Sequence, residues 1–293
     1  MKIQYLGTAA AEGIPALFCM CPCCRKIRSG YGANHKEIRM RASAIIDDTL
    51  QIDFGPDAFQ QMLQYRLDYA GMRNLLITHS HDDHVCMGNL LSRRKYFAWL
   101  PDEVPPLVVY GNEKIGEMLG KQQCSDRIRF QRIRPFEPQQ IDGYTVTALE
   151  AVHCVSNDKN GLYTVAFKQK QYDRSEQALF YLIEKDGASI LYAHDTGGLT
   201  QADLDYLAGK KIDIVSLDCT MGRSEACPGA HMCAADNLEV RELMLQNGAA
   251  DKHTVFAANH FSHNGYTTYE EMQKLLPGFV ISYDGLILES GKK

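Results

Sequence analysis

The segment His79-Ser80-His81-Asp82-Asp83-His84 places three imidazoles and the Asp83 carboxylate within six residues, directly after the apolar run Leu75-Leu76-Ile77-Thr78. Such a run reads as a short buried strand, so the cluster falls at the strand's C-terminal end, where the backbone turns. In that turn His79 and His81 can converge on one ion while Asp83 and His84 converge on a second. Neutral imidazole nitrogens and carboxylate oxygens suit Zn²⁺, Mn²⁺ or Fe²⁺, and two close cations point to hydrolytic chemistry. The competing reading is a solvated His-rich loop. It loses ground because further ligand-type residues recur downstream.

A chain of 293 residues, 45% of them hydrophobic, has material for a sizeable core. Its net charge of −5 gives no electrostatic case for binding nucleic acid or an acidic membrane. Arg93-Arg94-Lys95, followed by Tyr96, Phe97 and Trp99, is a local basic-aromatic patch. It reads as the end of an amphipathic helix with its rings turned to the core. Met1–Leu6 reads as an alternating strand and lacks the apolar stretch of a secretory signal. No apolar run approaches bilayer length, so a cytoplasmic protein is expected. Among ten cysteines, Cys86, Cys124, Cys154, Cys219, Cys227 and Cys233 are scattered and read as free thiols. The four in Cys19–Cys24 differ in kind.

Strand-like segments recur at 2–6, 44–46, 49–52, 74–78, 107–109, 145–149, 178–183, 189–192, 212–217, 254–257 and 280–282. Helical patterns lie near 58–69, 113–120, 201–207, 234–247 and 269–276. Strand clusters broken by helices in both halves predict an α/β architecture of two packed sheets with helices outside, spanning 1–293 as one domain. Segments 99–106 and 156–177 read as loop or lid insertions bordering a cleft. Leu107–Val109, or another edge strand, is a candidate for pairing in a homodimer.

Three isolated residues share the position of the His cluster. His153 follows the strand-like Val146–Glu150. Asp195 follows Leu191-Tyr192-Ala193-His194 and precedes two glycines, and His260 ends Val255–Asn259. Each alone would be an ordinary turn residue. With these residues the chain resembles the metallo-β-lactamase superfamily, an αββα four-layer sandwich. The resemblance implies that His79, His81 and His153 hold one metal and Asp83, His84 and His260 the other. It makes Asp195 the bridge between them. Such a carboxylate offsets the repulsion of two dications, which together lower the pKa of water. Asp53, in Ile52-Asp53-Phe54-Gly55, matches an early Asp-x-Gly element and is expected to orient a ligand; a plain turn carboxylate is the alternative. Val85-Cys86-Met87 before Gly88 is one residue longer than the common spacing, which predicts a shifted helical turn with every ligand kept.

Cys19-x-Cys21-x-x-Cys24 has metal-ligand spacing, and closed structural zinc sites take four ligands. A redox pair of Cys21 with Cys24 competes, and Cys23 could replace a neighbour. The candidate fourth ligand is His263, three residues after His260. A Cys-x-Cys-x-x-Cys loop with a late His-x-x-His resembles the cyclic phosphodiesterase branch of phosphonate degradation, as does the opening Leu6–Pro15. That branch implies a structural zinc on Cys19, Cys21, Cys24 and His263, and two Zn²⁺ or Mn²⁺ in the active site. It further implies a small phosphodiester substrate. Asp83 is the candidate catalytic residue beside His231. His231, in Gly229-Ala230-His231-Met232 after Asp218-Cys219-Thr220, is the candidate general acid, with a loop histidine as the bland alternative.

Several relatives fit less well. A di-iron member would carry Glu at 81, a zinc β-lactamase Cys at 195, and a tRNA 3′-processing nuclease a long basic arm. A carboxyl-ester, thioester or lactone hydrolase, a quinone-cofactor pathway protein and a non-catalytic metal or nucleotide binder stay open. His35, His194 and His253 read as ordinary.

Overall fold

The computed structural model describes residues 1–30, 36–121, 126–153, 176–225, 230–265 and 267–291. His35, Cys124, Cys154, Cys227 and all but the last two residues of the 156–177 insertion lie outside the described residues. Elements are numbered in chain order.

The N-terminal half supplies β1 (Lys2–Gly7), β2 (Ser43–Ile46), β3 (Leu50–Ile52), β4 (Asn74–Leu76), β5 (Leu107–Gly111) and β6 (Ile128–Arg132). The C-terminal half supplies β7 (Gln139–Ile141), β8 (Tyr144–Glu150), β9 (Leu179–Lys185), β10 (Ala188–Ala193), β11 (Ile214–Asp218), β12 (Val255–Asn259) and β13 (Phe279–Ile281). A last strand, β14 (Ile287–Glu289), returns to the first sheet. The two seven-stranded sheets run β14-β1-β2-β3-β4-β5-β6 and β13-β12-β11-β10-β9-β8-β7. Each is antiparallel on one side and parallel on the other: β3 through β6 are parallel, as are β10 through β13. Parallel neighbours require crossovers. In the first sheet these carry α2 (Ala58–Tyr65), α3 (Met87–Leu91) and α4 (Glu113–Lys121); in the second, α5 (Gln201–Leu207), α6 (Ala234–Gln246) and α7 (Tyr269–Leu275).

Side-chain alternation divides the core into three slabs. On β9, Leu179, Tyr181 and Ile183 enter the slab between the sheets, with Ile3, Tyr5, Ile46 and Tyr192. Phe180 and Leu182 face the other way, toward Leu207, Val240, Met244 and Met272 of the second helical layer. Leu75, Ile77 and Val109 pack against Ala58, Leu90, Ile115 and Leu119 of the first. The result is the four-layer αββα sandwich that the sequence predicts.

Two expectations are corrected. Tyr96, Phe97 and Trp99 are 93%, 68% and 87% exposed, the first two on a turn and Trp99 just beyond it, so they do not face the core. The helix α3 is only five residues long and stops before the basic residues, which removes the amphipathic helix on which the inward reading depends. Leu107–Val109 is not an edge: β5 is paired on one side with β4 and on the other with β6. The edges are β14 and β6 in one sheet, β13 and β7 in the other. Among the described residues no helix is long and apolar enough to cross a membrane.

Candidate metal centre

The parallel strands of both sheets point their C-terminal ends to one edge of the sandwich, where an open sheet offers a crevice. Asp53 follows β3, the His79–His84 turn follows β4, and His153 follows β8. Asp195 follows β10, Asp218 ends β11 and His260 follows β12. Three of these residues leave their strands with positive φ: Asp53 at 61°, Asp195 at 53° and His260 at 61°. Non-glycine residues take this conformation at a cost of about 1–3 kcal/mol and concentrate at functional sites. Here it turns each chain sharply at the sheet edge.

The side chains fall into overlapping clusters. His79, His81, His153 and Asp195 offer ligand atoms within 4.8 Å of one another, and so do Asp83, His84, Asp195 and His260. Asp195 belongs to both. His79 Nε2 is 3.0 Å from His81 Nδ1, which is 3.3 Å from His153 Nε2. Asp195 Oδ2 lies 2.6 Å from His84 Nε2, 3.4 Å from His260 Nε2 and 3.5 Å from His79 Nε2.

The far nitrogen of four of these imidazoles is anchored. His84 Nδ1 is 2.7 Å from Asp53 Oδ2, His260 Nδ1 is 2.8 Å from Thr220 Oγ1, and His79 Nδ1 is 3.0 Å from Thr78 Oγ1. His153 Nδ1 faces the Ala230 carbonyl at 3.2 Å. Anchoring one nitrogen fixes the tautomer and turns the other lone pair inward. Asp53 itself accepts from the amide and hydroxyl of Thr78. Gly55 completes the Asp-x-Gly element for a steric reason: a Cβ there would lie 2.1 Å from the Asp83 carbonyl oxygen.

Whether these residues suit metal ions is tested by the buried groups without partners. His84 Nε2, His260 Nε2 and Asp195 Oδ1 are buried without a well-directed hydrogen bond: the two nitrogens converge on Asp195 Oδ2, while Oδ1 faces His231. Poorly paired buried polar atoms are costly, and cations held among these side chains would satisfy them. Charge agrees. Burial drives His79 well below its usual pKa and His153 to about 4, keeping both neutral as ligands must be. Burial opposes charge on His84 too, but Asp83, Asp53 and Asp195 raise it well above the usual value. Asp195 is held well below the carboxylate range against its burial, by His260, His153 and His84. This edge therefore favours positive charge.

His231 lies beside the centre. Its Nδ1 is 3.2 Å from Asp218 Oδ2 and 3.2 Å from Asp195 Oδ1. Burial lowers its pKa, yet Asp218 and then Asp195 and Asp83 carry it up to about 9. Asp218 was not singled out in the sequence as a site residue. Its carboxylate accepts from the amides of Asp195, Thr220 and Met232 and from the Thr220 hydroxyl. The available signal was its strand-end position, the same as that of Asp195. Ser80 is tied to Glu176, which also accepts from Asn112 at 2.6 Å; neither partner carries a sequence signature. After His84, α3 starts at Met87 with Cys86 at its N-cap, and His84 keeps its place in the cluster. His194, although adjacent to Asp195, is buried among Tyr5, Tyr192, Ser216 and Asn259 and joins neither cluster. His253 is exposed.

Cys19, Cys21, Cys24 and His263 form a separate cluster within 4.8 Å. Cys21 caps α1 (Pro22–Arg28), its sulfur accepting from the Cys24 amide. His263 Nδ1 is 3.5 Å from Cys19 Sγ and 3.7 Å from Cys21 Sγ. Burial raises the Cys21 thiol, but hydrogen bonds involving Cys24, Cys19 and His263 bring it down to about 6, toward the thiolate that binds metal. Cys23 is outside the cluster, and burial lifts its thiol to about 11.

The beta-lactamase superfamily domain profile matches residues 49–249, and the chain belongs to that superfamily. A solved diphosphatase of the PhnP family superposes with a TM-score of 0.72 at 20% identity, over 98% of this chain and 97% of that one. Zn²⁺-bound PqqB from Methylobacterium extorquens gives 0.68 at 19% identity over 99% and 100%. The short form of human tRNase Z gives 0.61 at 13% identity over 100% of each chain. These likenesses show the fold. Comparison by sequence with curated proteins finds no match.

Proposed function

We propose that the chain acts as one metal-dependent hydrolase unit with a dinuclear centre, cleaving a small phosphodiester. The observation that carries this reading is Asp195, shared by two clusters that each gather four ligand atoms within 4.8 Å. His79, His81 and His153 would hold one divalent ion, Asp83, His84 and His260 the other, with Asp195 serving both. Bound Zn²⁺ or Mn²⁺ supplies Lewis acidity that activates water and offsets charge developing on the phosphoryl oxygens.

The chain's own residues do the rest. Asp53, Thr78 and Thr220 keep the imidazole tautomers that aim nitrogen lone pairs inward. Asp218 and Asp195 occupy the Nδ1 side of His231, which leaves Nε2 to pass a proton to the leaving oxygen. Cys19, Cys21, Cys24 and His263 would hold a structural zinc that pins the N-terminal loop to the loop bearing His260. The fold-level likeness to a PhnP-family diphosphatase favours phosphoryl over carboxyl substrates.

The test is hydrolysis of bis(p-nitrophenyl) phosphate by protein reconstituted with Zn²⁺ or Mn²⁺, with Asp83→Ala as control. Turnover that the substitution abolishes, in a variant that still folds, supports the reading. No turnover at full metal occupancy overturns the phosphodiesterase assignment and directs attention to carboxyl esters, thioesters and lactones.

A further inference from the structure

Glu12 lies in the loop after β1, away from the dinuclear clusters, and none of the ligand sets above uses it. One of its oxygens collects contacts from three successive residues of the loop that follows His260. Oε1 accepts a short hydrogen bond from Ser262 Oγ, lies 3.5 Å from Asn264 Nδ2, and stands 3.4 Å from His263 Nε2. The other nitrogen of the same ring, Nδ1, faces the sulfurs of Cys19 and Cys21. His263 is thus set between a carboxylate on one side and thiols on the other, with its side chain only 14% exposed.

From this geometry we propose that Glu12 is the positioning residue of the cysteine cluster, fixing His263 in the tautomer that presents Nδ1 to a thiolate-bound divalent ion. The proposal rests on the reading of that cluster as a metal site. A neutral imidazole carries one N–H, and a carboxylate can only accept. With Glu12 at Nε2 the proton sits there, and the Nδ1 lone pair is left for the metal. A carboxylate behind a ligating histidine also strengthens that histidine as a donor. An amide at position 12 could present either its oxygen or its NH₂ to the ring, so it would not choose between tautomers. Because Glu12 also grips Ser262 and Asn264, the tautomer and the path of the loop leaving His260 are set by one side chain.

The experiment compares wild type with Glu12→Gln, which keeps the size of the side chain and its capacity to accept from Ser262. Metal content is measured first. Wild type lacking an ion at the cysteine cluster would remove the underlying metal reading, whatever Glu12 does. With that ion present, zinc is titrated against a chromogenic chelator, and Co²⁺-substituted protein is examined for its sulfur-to-cobalt charge-transfer band. Glu12→Gln is expected to hold the cysteine-cluster zinc 10- to 100-fold more weakly, on the order found for partners of ligating histidines, and to shift the cobalt band. Unchanged affinity and an unchanged band overturn the proposal.

A second measurement uses wild type only, and so stands even where the variant does not fold. In a long-range proton–nitrogen correlation spectrum of zinc-loaded protein, His263 should show its proton on Nε2 and the metal on Nδ1. A proton on Nδ1, or metal on Nε2, overturns the proposal.

Discussion

His84 Nδ1 sits 2.7 Å from Asp53 Oδ2, with side chains 1% and 0% exposed. The contact ties the strand end after β3 to the His79–His84 turn after β4, and it decides which nitrogen of His84 faces the clustered side chains. Asp53→Asn should break that choice. An amide nitrogen facing Nδ1–H would oppose two donors, and relief requires the ring to place its proton on Nε2, toward the ion. The ion proposed for Asp83, His84 and His260 is expected to bind 10- to 100-fold more weakly. Equilibrium dialysis with metal analysis checks this, and a variant retaining both ions at wild-type affinity contradicts it.

Gly55→Ala tests the steric half of the same element. The added Cβ would meet the Asp83 carbonyl oxygen at 2.1 Å, and backbone cannot yield there without moving the ligand turn. Phe54 pairs with that turn through hydrogen bonds from its amide to the His84 carbonyl and from the Cys86 amide to its own carbonyl. A loss of about 3 kcal/mol is expected, at the upper end of overpacking costs, together with lower metal occupancy. Urea denaturation of the metal-free protein measures the first part; a midpoint within error of wild type would show that the turn has room.

His231→Gln separates a proton donor from a structural loop residue through the leaving group. A p-nitrophenolate leaves without help, whereas an alkoxide needs its proton. Turnover of an alkyl phosphodiester should therefore fall by about 10²–10⁴-fold, the usual contribution of general acid catalysis, while turnover of bis(p-nitrophenyl) phosphate falls much less. Equal losses on both substrates would remove His231 from the acid role.

Much of the candidate site was legible in the sequence because most of its residues stand at or just after the ends of recognisable apolar strands. His79 and Asp195 could be placed from the runs before them and Asp53 from its resemblance to an Asp-x-Gly element, and the structure brings these residues to one edge. Less visible were residues whose role depends on a partner distant in sequence. Asp218 reaches His231 and His260, Glu176 reaches Ser80, and Glu12 reaches His263 across 251 positions or fewer. No local pattern encodes such pairs. The edge strands β6, β7 and β14 escaped for another reason. Their alternation is weak because they are partly exposed, with Arg129 and Ile287 turned to solvent. The rings of Tyr96, Phe97 and Trp99 show the converse error, since apolar composition predicts burial only when an element exists to turn the residues inward.

Asp203 provides a pH test at a residue outside the candidate ligand sets. It is fully buried at the start of α5, where it accepts from the amide and hydroxyl of Thr200 and from the Glu150 amide. Burial outweighs those hydrogen bonds and raises its pKa from 3.8 to about 6. The folded state thus holds the Asp203 proton more tightly than the unfolded chain does. Its contribution to stability is complete below the unfolded value, declines as pH rises between the two, and is lost above the folded one. A shift of this size corresponds to about 2–3 kcal/mol over the window. Asp203→Asn removes the titration and weakens the Thr200 cap by about 1 kcal/mol, so the variant starts lower but should lose less stability from about pH 4 to about pH 7. Other groups titrating in that range contribute equally to both proteins, and the difference between the two stability curves isolates Asp203. Parallel curves from chemical denaturation would show that Asp203 is ionised throughout, with its hydrogen bonds outweighing burial.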